Sequence, residues 1–265
     1  AGCASLPGPV ERAEEFTVAV TGDSVLDQTI SDFLAPYPDQ SAAHFLKDGL
    51  DAFAVRLTAA DRASRSIDAQ YYLFHDDVTG GLYAESLLRA AKRGVKVRLL
   101  LDDMGAHRRD KFLLTLDHHP NFDIRIFNPF ANRNVRALEY LYRFGLVTRR
   151  MHNKSMVVDG VVAITGGRNI GDDYFDASPK SNFIDLDVMV FGPAVDQIAR
   201  QFDDYWNSPL SYDIDNLAKQ EPAPTEVLSS WQALHDEAVR QSDSVYLKRV
   251  EQAAFLEHLR EGTLP

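Results

Sequence analysis

The residues with the clearest chemical potential lie in the segment 149–171, which reads RRMHNKSMVVDGVVAITGGRNIG. Alternate side chains of an extended strand share a face, so His152 and Lys154 are predicted to point the same way. An imidazole can attack phosphorus or transfer a proton, and an ammonium group beside it can hold an anion. The pair is therefore suited to phosphoryl transfer, which needs a nucleophile and fixed donors around the non-bridging oxygens.

The same segment should fold back on itself as a hairpin. The dipeptide Asp159-Gly160 is favoured in tight two-residue turns, and apolar residues flank it on both sides. We expect strands over 152–158 and 161–165, which would return the chain to the neighbourhood of His152. A His-x-Lys pair taken alone is also compatible with an ordinary edge hairpin whose side chains are solvated.

The second strand of this hairpin is followed by glycines and an amide. Gly166 and Gly167 would let backbone N–H groups approach an oxyanion, and the carboxamide of Asn169 adds a neutral donor. These groups would complete a pocket for a tetrahedral anion. The hairpin is thus expected to carry half of a phosphodiester-binding site.

The surrounding chain alternates between strand-like and helical segments. Predicted strands are IDAQYYLF, VKVRLLL, FDIRIF and LDVMVFG; predicted helices are GGLYAESLLRAAKRG, RRDKFLLTLDHH and PAVDQIARQFDDYWNS. The apolar spacing over 42–60 also predicts a helix. Strand-helix alternation favours parallel pairing. The fold class is therefore α/β, with a mixed, largely parallel sheet flanked by helices.

Composition along the chain suggests three parts. Residues 1–40 are rich in Pro, Ser and Asp and indicate an N-terminal arm. Residues 41–208 contain the strand and helix pattern, and residues 209–265 are more polar and indicate a helical extension or linker.

The spacing of the hairpin residues resembles a known signature. His152-x-Lys154, four residues, Asp159, six residues and then Gly166-Gly167-Arg168-Asn169 is similar to the HKD motif of the phospholipase D superfamily. RRMHNKSMVVDG together with GGRNIGDDYF resembles the bacterial cardiolipin synthase branch, and the similarity extends over residues 42–208. One departure is Gly167, where many members of the superfamily have serine.

This resemblance implies a covalent mechanism with no metal or other cofactor. In the family, one motif histidine attacks phosphorus to form a phosphohistidine, and the histidine of a second motif protonates the leaving alcohol. His152 would be the nucleophile or the acid, and Lys154 and Asn169 would bind phosphate. The substrates would be phospholipids, phosphatidylglycerol or phosphatidylethanolamine, and the product cardiolipin. Gly166 and Gly167 would shape the pocket.

Further residues near the motif have expected roles. Arg150, two positions before His152, is expected to contact the substrate. Asp159 belongs to the signature, but strand parity places it opposite the His152 face and the turn alone explains it. The family has an acid on the following strand that orients the imidazole; of Asp185 and Asp187, which share a face, we favour Asp187.

The chain contains a single His-x-Lys motif, although the chemistry needs two. Either a second motif-bearing half follows Pro265, or two copies assemble about a two-fold axis. We favour an N-terminal half, because the family carries both motifs in one chain, and expect the isolated half to be nearly inactive.

The net charge and the N-terminal sequence indicate which partners the chain has, a nucleic acid or a membrane. A formal net charge of -11 argues against a broad basic face for nucleic acid, and no run of 18 apolar residues is present. The start AGCASLP resembles the end of a bacterial lipoprotein signal, so Cys3 would be a lipid anchor at the cell envelope. A segment rich in arginine and aromatic residues is suited to a membrane surface; its arginines are Arg133, Arg136, Arg143, Arg149 and Arg150.

Other polar clusters are weaker candidates for a functional site. His75-Asp76-Asp77 and Asp102-Asp103 resemble metal ligands, but both follow predicted parallel strands, where pocket lining is the better expectation. The pair at 118–119 fits a solvated helix end. Two rival functions remain: a homodimeric phosphodiesterase or nuclease of the same superfamily, and a non-catalytic membrane-tethered half that only binds phosphate.

Overall fold

A single eight-stranded sheet organises the computed structural model, which describes residues 6–7, 12–106, 109–131, 145, 148–218 and 220–261. The strands are β1 (Ala42–Leu46), β2 (Ser66–Tyr71), β3 (Lys96–Asp102), β4 (Phe122–Phe127), β5 (Ser155–Val158), β6 (Val162–Gly166), β7 (Asp187–Phe191) and β8 (Ser211–Asp213). Their order across the sheet is β1-β7-β6-β5-β2-β3-β4-β8.

The prediction of an α/β fold with a mixed sheet flanked by helices is confirmed, but the prediction that the sheet is largely parallel is wrong. Among the eight described strands, only β2 with β3 and β3 with β4 pair in parallel. These strands are joined by helical crossovers, as parallel neighbours require. The other five pairings are antiparallel. Two of them, β5 with β6 and β6 with β7, join strands that follow each other in the chain, which antiparallel strands can do without a helical crossover.

Nine helices are described: α1 (Val25–Leu34), α2 (Gly49–Arg62), α3 (Val78–Lys92), α4 (Asp110–Asp117), α5 (Ala194–Trp206), α6 (Ile214–Leu217), α7 (Pro224–Ser242), α8 (Val245–Glu251) and α9 (Ala254–Glu261). Helix α2 starts only at Gly49, where Asp48 caps its first turn by accepting from the N–H of Leu50. The prediction of a continuous helix over 42–60 is therefore wrong in its first part, because 42–46 pairs with β7.

The two faces of the sheet have different cores. A large cluster, which includes Phe53, Leu87 and Ile164, lies between one face and the helices packed on it. Helix α5 covers part of the opposite face, where Phe202 and Trp206 are fully buried. The apolar side of an amphipathic helix explains this placement.

The N-terminal arm and the C-terminal extension both pack on this body. Thr17 bonds Asp68 of β2 at 2.8 Å through its hydroxyl. Strand β8 extends the sheet, and Trp231 of α7 donates to the carbonyl of Thr115 in α4 at 2.6 Å. Residues 209–261 are thus in contact with the rest of the fold where the structure describes them.

The predicted hairpin of β5 and β6 is confirmed. Its turn places both Asp159 (φ 51°) and Gly160 (φ 72°) in the left-handed region that tight primed turns require. The Asp159 carboxylate is buried and accepts from the N–H groups of Ser64, Arg65 and Ser66 and from the Ser64 hydroxyl. Asp159 therefore fastens the turn to the start of β2, roughly 17 Å along the strand from Lys154.

Replacing Asp159 with alanine is expected to lower the free energy of unfolding by about 2–4 kcal/mol, because it leaves several buried donors without an acceptor. Urea denaturation followed by circular dichroism measures this loss. Asp61→Ala, which removes only an exposed ion pair with Arg89, should cost about 1 kcal/mol or less. Equal effects of the two substitutions would contradict the structural role of Asp159.

Candidate active site

The register of the hairpin brings the candidate residues to one edge of the sheet. Ser155 pairs with Gln70 near the carboxyl end of β2, and Gly166 at the end of β6 pairs with Asp187 at the start of β7. The segments 152–154 and 166–169 therefore lie together at the carboxyl end of the parallel strands. This edge is where α/β sheets commonly build their sites.

His152 and Lys154 are in direct contact. The Lys154 Nζ lies 3.0 Å from Nδ1 and 3.2 Å from Nε2 of the His152 ring, and it donates to the His152 carbonyl at 2.7 Å. The ring is exposed, whereas Lys154 is only 4% exposed. The imidazole can therefore meet a substrate while the ammonium behind it is held in place.

The charge of each group follows from this arrangement. Burial, and then the positive charge of Lys154, lowers the pKa of His152 below its ordinary value of 6.5. The neutral ring, which is the nucleophilic form, is thereby favoured near pH 7. Burial also lowers the pKa of Lys154, and the negative charge of Asp185 opposes this shift.

Tyr72 is a site residue that sequence analysis missed. Its ring packs on the His152 ring with centroids 4.9 Å apart, and Lys154 Nζ lies 5.7 Å from its centroid. Tyr72 directly follows β2. The signal in the sequence was the pair Tyr71-Tyr72, since alternation sends the first ring into the core and the second to the opposite face.

The start of the hairpin is held by a buried carboxylate. Asp102, at the end of β3, accepts from the Met151 N–H at 2.9 Å and from Arg150 at 3.1 Å. Burial raises the pKa of Asp102 to about 6, although Arg150 opposes the shift. Arg150 also donates to the Asn128 carbonyl at 2.7 Å. The guanidinium expected to contact substrate is thus engaged in fixing the backbone next to His152.

Asn169 lies at the same edge of the sheet, and hydrogen bonds to both its oxygen and its nitrogen fix the orientation of its amide. Its Oδ1 accepts from the Leu73 N–H, and its Nδ2 donates to the Tyr174 hydroxyl, both at 2.9 Å. A second Nδ2 hydrogen remains for another acceptor. Because Leu73 follows Tyr72 in the chain, this bond ties Asn169 to the strand end beside His152.

Gly166 and Gly167 have a different role from the one expected. Their N–H groups donate to the carbonyls of Lys154 at 3.3 Å and Leu186 at 3.1 Å, so these backbone donors are already used. A Cβ at either position would collide with an aspartate: Asp187 in the case of Gly166, and Asp185 in the case of Gly167. Glycine therefore leaves room for the Asp185 carboxylate beside the site.

Asp187, the acid favoured as the partner of His152, lies elsewhere. Its carboxylate is fully buried, accepts from Arg56 at 2.8 Å, and accepts from the Arg168 N–H at 3.2 Å. The expectation for Asp187 is corrected accordingly: it forms a core ion pair. Asp185, two residues earlier and half-buried, is the acid whose charge acts on Lys154.

The remaining polar clusters mostly serve the fold. Asp77 caps α3 by accepting from the Gly80 N–H, and the His75 Nδ1 lies 3.7 Å from Asp77 and 3.6 Å from Asp173. Within the described ranges, no group of three or more His, Cys, Asp or Glu side chains could hold a metal ion. Of the pair at 118–119, His118 is exposed at the end of α4, as predicted, whereas His119 is half-buried and packs on Trp231 with ring centroids 5.5 Å apart.

Some predictions fall on residues that the structure does not describe, namely Cys3, Arg133, Arg136 and Arg143. Arg149 is described and exposed. Among the helices of the described ranges, none combines the length and apolarity needed to cross a bilayer.

An open groove of about 590 Å³ begins at His152 and runs along α5. Its walls include the polar side chains of Asn153, Thr165, Gln197 and Gln201. Asn153 donates to Gln201 at 3.0 Å. The site is therefore open to solvent on this side.

Comparison with known proteins identifies the family of the chain. The family model described as "Cardiolipin synthase, PLD-like domain" matches residues 57–206, more than half of the chain. The chain belongs to this phospholipase D-like family. The resemblance seen in the HKD residues is thereby confirmed, and the match covers every site residue described above.

Relatives of this PLD-like domain include named cardiolipin synthases. The chain is 45% identical over 233 residues to "Cardiolipin synthase C" of Escherichia coli (strain K12), and the match covers 86% of this chain and 48% of the relative. It is 30% identical over 176 residues to "Major cardiolipin synthase ClsA" of Bacillus subtilis (strain 168), covering 65% and 34%. The chain thus spans between about a third and a half of these relatives.

A solved structure shares the fold. The crystal structure of phosphatidylserine synthase from Haemophilus influenzae Rd KW20 matches with a TM-score of 0.54 and 14% identity, over 82% of this chain and 48% of that chain. At this identity the likeness concerns the fold.

Proposed function

We propose that this chain is one half of a phosphatidyltransferase that makes cardiolipin from two phospholipids. The observation that carries the proposal is the contact between the exposed His152 ring and the buried Lys154 ammonium in a family of cardiolipin synthase domains. The proposed substrates are phosphatidylglycerol and, as the alternative, phosphatidylethanolamine.

The proposed reaction passes through a phosphohistidine. A motif histidine attacks the phosphorus of one lipid, the bond from phosphorus to the headgroup oxygen breaks, and the leaving alcohol takes a proton from the other motif's histidine. That histidine then removes the proton of the second lipid's hydroxyl, whose oxygen attacks phosphorus and releases the first histidine. His152 is either the nucleophile or the proton donor in this scheme.

The groups around His152 support these steps. The Lys154 ammonium and the free Nδ2 hydrogen of Asn169 would stabilise charge on the non-bridging oxygens. Asp185 would hold Lys154 in its charged form, because its negative charge opposes the effect of burial on that pKa. Tyr72 would fix the plane of the imidazole by ring contact.

A second motif is needed on the other side of the phosphorus. We propose that it belongs to the same natural protein, since this chain spans about half the length of its relative from Escherichia coli; a homodimer is the alternative. The open groove at His152 leaves the site accessible to such a half. The enzyme would act at the membrane of the bacterial envelope, with Cys3 as its lipid anchor.

The test is a transfer assay with phosphatidylglycerol vesicles, in which cardiolipin and glycerol are quantified together. The complete two-motif protein is expected to release one glycerol per cardiolipin, and the 265-residue chain to show less than about a hundredth of that rate because the second motif histidine is missing. Robust turnover by a demonstrably monomeric 265-residue chain would contradict the half-site proposal. Release of phosphatidic acid without cardiolipin would indicate a phosphodiesterase instead.

A further inference from the structure

An exposed apolar loop lies beside the site, just before β7. Phe183, Ile184 and Leu186, here called the apolar tip, are 55%, 103% and 44% exposed. Single exposed apolar residues are common on protein surfaces, but three within four positions at the edge of a site need a reason. Ile184 in particular packs against nothing in the described part of the chain.

The apolar tip is joined to the phosphate-binding groups. The Phe183 ring packs on Tyr174 with centroids 4.9 Å apart, and the Tyr174 hydroxyl accepts from Asn169 at 2.9 Å. On the other side, the Leu186 carbonyl accepts from the Gly167 N–H at 3.1 Å. The position of the tip is thus fixed relative to the site.

The loop 177–186 carries two charged side chains, those of Lys180 and Asp185. Asp185, which interrupts the apolar sequence, lies against Gly167 and accepts from the Leu186 N–H at 2.8 Å, so its carboxylate is directed back to the protein. Lys180 is exposed in the turn before the tip. An apolar end with a cation behind it fits the boundary between acyl chains and lipid headgroups.

We infer that the apolar tip inserts into the outer acyl region of a phospholipid bilayer and so sets the height of the site at the level of the lipid phosphates. This inference deepens the proposed function and rests on it for the identity of the substrate. Insertion to about 5–10 Å is typical of interfacial apolar side chains. The ring contact from Phe183 to Tyr174 would then hold Asn169 at phosphate depth.

Vesicle binding of the 265-residue chain tests the inference without requiring turnover. Sedimentation with phosphatidylcholine vesicles containing about one fifth phosphatidylglycerol should show binding that persists in about 0.5 M NaCl, since screening acts on charges and not on apolar burial. The double variant Phe183→Ser/Ile184→Ser should bind at least about tenfold more weakly. The matched control Leu228→Ser/Val245→Ser, which changes two residues of similar exposure (62% and 78%) in α7 and α8, should bind as the parent does.

A second measurement reports the depth of the tip. Fluorescence of Ile184→Trp should shift to the blue and be quenched by lipids brominated on the acyl chain, whereas Val245→Trp should show neither change. Absence of binding by the parent, equal binding by the two double variants, or no quenching at position 184 would overturn the inference. Quenching lost in the complete protein would show that the second half covers the tip, which also overturns it.

The experiments distinguish a failure of the tip-insertion proposal from a failure of the transferase proposal. If tip insertion is found while the complete protein forms no cardiolipin, the surface assignment stands and the transferase assignment is wrong.

Discussion

Replacing His152 with alanine in the complete two-motif protein is expected to reduce cardiolipin formation by at least about a thousandfold. Whether this ring is the nucleophile or the proton donor, its loss removes that group from the site: Lys154 is buried, and Tyr72 only packs its ring on the imidazole. The rate of cardiolipin formation from labelled phosphatidylglycerol measures the loss.

The control for this experiment is His118→Ala, which removes an exposed imidazole at the end of α4. It should leave the rate within about twofold of the parent, as surface substitutions away from a site usually do. Unchanged thermal unfolding of His152→Ala would show that the loss is chemical. Retention of a tenth of the parent activity would contradict a direct role for His152.

Replacing Asp187 with alanine is expected to destabilise the fold by about 3–5 kcal/mol, because it leaves the Arg56 guanidinium buried without its counter-charge. Both side chains are fully buried, and their shortest N–O distance is 2.8 Å. Such a loss is a large part of the stability of an ordinary domain. Guanidinium chloride denaturation at constant protein concentration measures it.

Two further variants separate the ion pair from other effects. The double variant Arg56→Met/Asp187→Leu removes both charges and should lose less stability than Asp187→Ala alone. Lys111→Ala, which breaks an exposed pair with Glu226, should leave the free energy of unfolding close to that of the parent. If Asp187→Ala unfolds as the parent does while activity falls, Asp187 acts in the site as first expected and not in the core.

The hairpin could be predicted from sequence because its determinants are local. Asp159-Gly160 specifies the turn, and alternation places His152 and Lys154 on one side. Gly94, the last residue of the predicted helical segment GGLYAESLLRAAKRG, likewise follows the end of α3 with φ at 98°. In each case the residue types at neighbouring positions determine the backbone conformation, so the conformation can be read from the local sequence.

Predictions that depend on distant partners were less successful. Residues 42–46 have helical apolar spacing, but pairing with β7 makes them a strand. The antiparallel direction of β5 and β7 likewise depends on the strands beside which they lie, β2 in the case of β5 and β1 in the case of β7. Local pattern contains no information about those partners, so tertiary pairing overrides it.

The choice between Asp185 and Asp187 shows the same limit within the site. Both residues share a face by parity, and the choice depends on Arg56, which is 131 positions away from Asp187 and meets its carboxylate in the core. Gly167 is a related case. The absence of a side chain there is explained by the close approach of Asp185, which only the folded chain shows.

The central claim is that His152 and Lys154 bind one tetrahedral oxyanion. It is tested most directly by NMR titration of the His152 ring in the 265-residue chain, with and without inorganic phosphate. A bound anion favours the imidazolium, so the pKa of His152 should rise from its lowered value when phosphate is added. The rise should be absent in Lys154→Met and retained in Lys180→Met. A His152 pKa that phosphate leaves unchanged, or that moves equally in both variants, would contradict the account.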